Sequence, residues 1–196
     1  MERLASLSGF LDRLVVRVGR IAAWFAVALM VVILFDVVTR RFLVLGSTKL
    51  QELEWHLHTV LFALCLGFAY IKDTHVRIDL VRERLSQRVQ WWLELLGCVL
   101  FLIPFCLVVI YFGIDWWHRS FALDEGSGSA TGLPNRWIIK AVLPIGFTFL
   151  LLATVTVVLR KIVELFGPES LRRRISEIEH EEEEHLVNIK RDEPPR

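Results

Sequence analysis

The sequence lacks the signatures on which most catalytic and nucleotide-driven activities rest. No Gly-Lys-Ser/Thr is present to cradle a phosphate, and neither GxSxG nor HExxH occurs. Cysteine is scarce. Cys65, Cys98 and Cys106 each lie inside an apolar run with no CxxC, which predicts packed thiols and neither a disulfide framework nor a zinc site. The six histidines, His56, His58, His75, His118, His180 and His185, fall at block ends, in loops or in the tail. A haem anchor needs axial histidines deep in its spans, so that function is disfavoured. A net charge of +1 gives no global basis for nucleic-acid binding. No small-residue cleavage pattern follows the first apolar block, and Arg40 and Arg41 come after it, so it is expected to be a retained anchor.

What the sequence holds in excess is apolar residue, 54% of 196 positions, against about 45–50% in soluble domains. The excess forms four blocks, and a helix crossing a bilayer needs about 20 such residues. The expected organisation is an all-α integral membrane protein with four transmembrane helices at about 21–39, 53–71, 91–117 and 137–160. An amphipathic helix over 1–20 precedes them, with Leu4, Leu7, Leu11, Leu14, Val15 and Val18 on one stripe and Arg13, Arg17 and Arg20 pointing away. A second amphipathic helix over 78–90 lies between the second and third spans. Both have the pattern of helices lying in the membrane interface. A loop over 118–136, rich in Gly, Ser and Thr, is expected to be irregular and on the outer side. The charged tail over 166–196 turns from basic to acidic, and a solvated charge run explains its glutamates and histidines better than a metal site.

All seven tryptophans sit at block edges, where an indole is half-desolvated and its N–H stays wet. Of the 23 lysines and arginines, 17 precede the first block, join the second to the third or follow the fourth. That asymmetry predicts both ends in the cytoplasm.

The polar residues that remain are near block ends. Asp36 and Arg40 are spaced to pair along a helix, as are Glu54 and His58. Thr48 and Gln51 have capping-box spacing, and Asp79 is placed to cap the helix that follows it. Without deep ionisable groups or a visible inverted repeat, a self-sufficient transporter is disfavoured. The chain has the character of a partner to something else.

An ordered set of short stretches gives this character a family. Asp36-Val37-Val38-Thr39-Arg40-Arg41 closes the first span and Leu53-Glu54-Trp55 opens the second. His75-Val76-Arg77-Ile78-Asp79 follows the second span. Gly132-Leu133-Pro134, Arg136-Trp137, Lys140 and Leu143-Pro144-Ile145-Gly146-Phe147 lead into the fourth. Over residues 15 to 165 the sequence resembles the small permease (DctQ-like) subunits of TRAP, tripartite ATP-independent periplasmic, transporters. The Gly132 to Trp137 stretch is most similar to the branch grouped with mannitol and chloroaromatic uptake. The resemblance implies a multi-pass protein of the bacterial inner membrane, embedded in lipid, non-catalytic and without cofactors. Its implied partners are a large permease subunit, which moves an organic, commonly carboxylate, solute on an ion gradient, and a periplasmic solute-binding protein. Candidate contact or structural residues are Asp36, Arg40, Glu54, His58, His75, Arg77, Asp79, Glu125, Arg136, Trp137 and Lys140. The competing reading is an anchor or assembly subunit of another membrane complex.

Overall fold

A backbone crossing lipid must satisfy its own hydrogen bonds, so apolar runs of this length fold as helices. The computed structural model describes residues 2–43, 46–72 and 85–168, and four helices in it are long and apolar enough to cross a membrane. They are α1 (Glu2–Phe42), α2 (Thr48–Ile71), α3 (Gln87–Ala122) and α4 (Arg136–Phe166). From Glu2 on, the amphipathic segment and the first apolar block are therefore parts of one continuous helix. His75, Arg77 and Asp79, most of the 78–90 segment and the acidic tail lie outside the described residues.

The helix α4 is the central rod. It packs against each of the other three, while α1 and α2 also pack on each other. In its most apolar window 39% of residues are buried, against 11–17% in the other helices, which leave most of their surface for lipid. Pro144 lies inside α4 and cannot donate to the preceding turn. Thr148 and Thr154 donate their hydroxyls to the carbonyls of Pro144 (2.7 Å) and Leu150 (2.8 Å), so these polar groups are satisfied within the helix.

Small residues bring α2 and α4 together. A Cβ added at Gly67 would lie 2.8 Å from the Phe149 carbonyl oxygen, and one at Gly146 would lie 2.6 Å from that of Ala63. Ala63 and Gly67 are one turn apart, as are Gly146 and Leu150, so two short faces meet backbone to backbone. This is the close approach that small residues four apart allow in membranes.

The packed face of α1 differs from the one its leucines suggest. Ser8, Asp12, Val15, Val16, Gly19 and Ala22 are buried, whereas Leu7, Phe10 and Leu14 are exposed. A side chain at Gly19 would strike Phe68 of α2. Small residues set the contact, while Leu7 and Leu14 face outward and Leu4 and Leu11 are half-buried. Val15, Val16, Ile71 and Ala153, flanked by Phe68, Tyr70, Phe149 and Leu152, form the principal cluster, at the end of the bundle where α1 begins and α2 ends.

The helix α3 contains a π-helical segment, Cys98–Leu102, just before Pro104. Its buried residues are Cys98, Cys106, Gly113 and Ser120. Tyr70 and Cys98 share a 3.0 Å hydrogen bond that ties α2 to α3.

The α2–α4 contact yields a stability test. Gly67→Ala and Gly146→Ala each force backbone apart and should cost about 1–3 kcal/mol, measured as a lower melting midpoint in detergent. Gly97→Ala, whose added Cβ meets nothing within 4 Å, should leave the midpoint unchanged or raise it.

Candidate functional site

Charged side chains gather at two levels of the bundle. Asp12 and Asp36 are separated by about 36 Å along α1, and Lys140 and Arg160 by about 30 Å along α4. These separations match or exceed a hydrocarbon core of about 30 Å. The two levels therefore bracket the apolar thickness.

At the level of the α1 start, Arg160 donates to Asp12 at 2.9 Å, both side chains nearly buried at 13% and 10% exposure. Lys161 pairs with Glu164 at 3.0 Å and lies 3.9 Å from Glu94, so it links α4 to α3. Trp92 meets Phe166 edge-on beside it, at 6.0 Å. This level locks three helices together.

The opposite level carries most of the sequence-predicted residues, in two groups. One is a groove of ≈520 Å³ between the end of α1 and the start of α2, lined by Ile33, Asp36, Val37, Arg40, Arg41, Gln51, Glu54 and Trp55. Arg40 donates to Asp36 Oδ2, one helical turn away. With its amide oriented to satisfy both groups, Gln51 accepts from the same guanidinium at 2.9 and 3.2 Å. Asp36 is 4% exposed, and its Oδ1 is buried without a hydrogen bond. Such an orphaned acceptor typically costs about 1–3 kcal/mol. Trp55 stands exposed at the lip.

Two sequence expectations fail in this region. The capping box does not form, because Ser47 is the N-cap of α2 and makes no side-chain cap bond. Thr48 instead accepts from the Thr131 hydroxyl at 3.2 Å, and Gln51 serves Arg40. Both side chains face tertiary partners, which outcompete a local cap. Glu54 faces the groove and His58, on the next turn, is exposed; no ion pair joins them.

The second group is the loop from 123 to 135, shorter than the expected 118–136 because residues 118–122 continue α3 and Arg136 begins α4; it lacks helix and strand and is held at both ends. Glu52 of α2 reaches into it: one carboxylate oxygen accepts from the Ser127 hydroxyl, and the other from the Leu133 N–H at 2.6 Å. Gly132 leaves the space, since a Cβ there would meet Ser127 and lie 2.8 Å from the carboxylate. Asn135 turns the chain through a left-handed conformation (φ 59°) into α4, which asparagine tolerates better than most residues. The Arg136 N–H then closes onto the Glu125 carbonyl at 2.8 Å. The stretch from Gly132 to Arg136 is thus a device for laying the loop on α2 and restarting the helix.

Glu125 takes the Lys140 ammonium, which also lies 4.4 Å from the centroid of Trp116. The lysine bond holds the Glu125 carboxyl below the usual carboxylate range. Trp137 packs edge-on against Phe121, which stacks on Trp117. Asp36, Arg40 and Glu54 are brought together in the groove, and Glu125, Arg136, Trp137 and Lys140 around the loop. Sequence reasoning missed Glu52 and the Asp12–Arg160 pair. The arrangement presents a shaped, charged surface at one end of four spans.

A sequence-family model described as "Tripartite ATP-independent periplasmic transporters, DctQ component" matches residues 29–164. The match takes in the groove, the loop and the α2–α4 contact, and leaves out the first 28 residues. No curated protein matches the chain.

The Glu125–Lys140 pair makes stability depend on acid. Its lowered carboxyl contributes fully above the usual value of 4.5 and loses that contribution as pH falls through the lowered one. The melting midpoint of the protein should therefore approach that of Lys140→Met as pH drops below 4.5, the gap between them staying constant from there to neutrality. Glu52→Gln keeps one acceptor oxygen for two donors. Amide exchange at Leu133 should then quicken about tenfold or more, as expected for a lost charge-assisted bond.

Proposed function

Because the chain belongs to the family of DctQ components of tripartite ATP-independent periplasmic transporters, we propose that it acts as the fixed, non-catalytic support of such a system. On this reading it scaffolds a large permease subunit in a bacterial inner membrane and helps dock a periplasmic solute-binding protein. The transported solute is organic, of the carboxylate class, and moves on an ion gradient through the large subunit. Resemblance of the Gly132 to Trp137 stretch favours the branch that includes mannitol and chloroaromatic systems.

The observation that carries the proposal is the match over residues 29–164, on a bundle whose described ion pairs lie at its two levels. A helix bundle pinned at both ends suits a static support against which a moving subunit slides. The lysine and arginine asymmetry sets the α1 start in the cytoplasm. The groove and the loop of 123–135 then face the periplasm, where a binding protein arrives.

Purification of the tagged chain from native membranes should bring down a large multi-span permease. Reconstituted alone, the chain should move no solute; with both partners it should support uptake, without altering solute affinity of the binding protein. Unaided transport would overturn this division of labour. Single cysteines placed near each terminus should both be labelled from the cytoplasmic side.

A further inference from the structure

Neither carboxylate that lines the groove between α1 and α2 is fully paired among the described residues. Asp36 gives Oδ2 to Arg40 and keeps Oδ1 buried with no donor. Glu54 lines the same groove and forms no ion pair within the described residues. Arg41, the other cation on the lining, is exposed and pairs with neither. Asp36 also lies one turn, about 6 Å, further along α1 from the helix end than Arg40. Ile33 and Val37 line the groove beside it, so the unpaired oxygen is buried at an apolar stretch of the lining.

From this geometry we propose that the groove receives a lysine or arginine side chain from a membrane helix of the large permease subunit. The incoming cation donates to Asp36 Oδ1 and to Glu54, while its aliphatic stem lies on Ile33, Val37 and the exposed ring of Trp55. A long basic side chain suits this site because its stem is apolar and its head carries several donors. Placed at the margin of the bilayer, such a pair forms where water screens less than in bulk. The Arg40–Asp36–Gln51 set holds the Asp36 carboxylate in place before the partner arrives, so little ordering remains to be done on assembly. The inference rests on the transporter reading above and adds the chemistry of the contact.

The test is co-purification of the two membrane subunits from detergent, comparing the unaltered chain with three variants. Glu54→Gln should lower recovered large subunit about threefold, and Asp36→Asn with Glu54→Gln at least tenfold. Asp115→Asn, at the same level but exposed and paired with Arg119 at 2.8 Å, should have no effect. Circular dichroism checks that each variant folds; Glu54→Gln leaves the Asp36–Arg40 pair intact and carries the test where Asp36→Asn lowers helicity. Scanning the basic residues at the periplasmic ends of the large subunit's helices should find one whose change to Glu is rescued by Glu54→Lys. Unchanged recovery with the double variant, in a complex that forms normally, overturns the inference while leaving the subunit assignment standing. Absence of any large subunit with the unaltered chain overturns that assignment. Native mass spectrometry supplies the last arm: retention of an ethanolamine phospholipid that the double variant loses, with assembly unaffected, assigns the groove to a lipid ammonium and overturns the inference.

Discussion

The contact of α2 with α4, where Gly67 meets Phe149 and Gly146 meets Ala63 through backbone atoms, sets the position of the other helices. In lipid there is little hydrophobic gain from bringing two helices together, since acyl chains are as apolar as leucine. Association must come from close packing and from polar groups that find each other. Two glycines permit the first. They also fix how far α2 and α4 are offset, which decides whether Glu52 reaches Ser127 and Leu133 at one end and whether Ile71 and Ala153 share a cluster at the other. Both ends depend on the same approach.

Polar groups then determine which way the bundle can vary. Asp12 with Arg160, and Lys161 with Glu94 and Glu164, tie α1, α3 and α4 at one level. Glu52 and the Glu125–Lys140 pair tie α2, the connecting loop and α4 at the other. Between those levels the described helices meet lipid with large apolar side chains such as Met30, Leu34, Phe105 and Phe112. A bundle fastened this way resists sliding and tilting of one helix against the next.

The number and order of the spans were legible because lipid imposes one demand along the whole chain, a long apolar run. The Asp36–Arg40 pair was legible too, since a spacing of four residues is local. Glu125 and Lys140 could be singled out by their place beside the fourth span, but not as partners of each other. Glu52 could not be read at all, because its partner hydroxyl is 75 residues away, nor could Asp12, whose arginine is 148 away. The leucine stripe of α1 misled for a physical reason. Periodicity finds the apolar face, and in a membrane that face can belong to lipid, while packing selects the smaller residues Ser8, Gly19 and Ala22. The glycines at 67 and 146 were invisible as contacts for the same reason, a small residue being as much a sign of nothing as of closeness.

The π segment of α3 has a consequence for how that helix stays in phase. Its buried positions Cys106, Gly113 and Ser120 recur every seven residues, but Cys98 precedes Cys106 by eight. In an unbroken α-helix a step of seven drifts about 20°, whereas a step of eight would carry Cys98 roughly a fifth of a turn out of line. The wider turn at Cys98–Leu102 absorbs the surplus residue, as such bulges do. It keeps the thiol within reach of Tyr70 while Gly113 stays against Pro144 of α4. The segment works like a leap day: one added unit that realigns two calendars, so that losing a single residue there would restore plain α geometry without rotating either half of the helix.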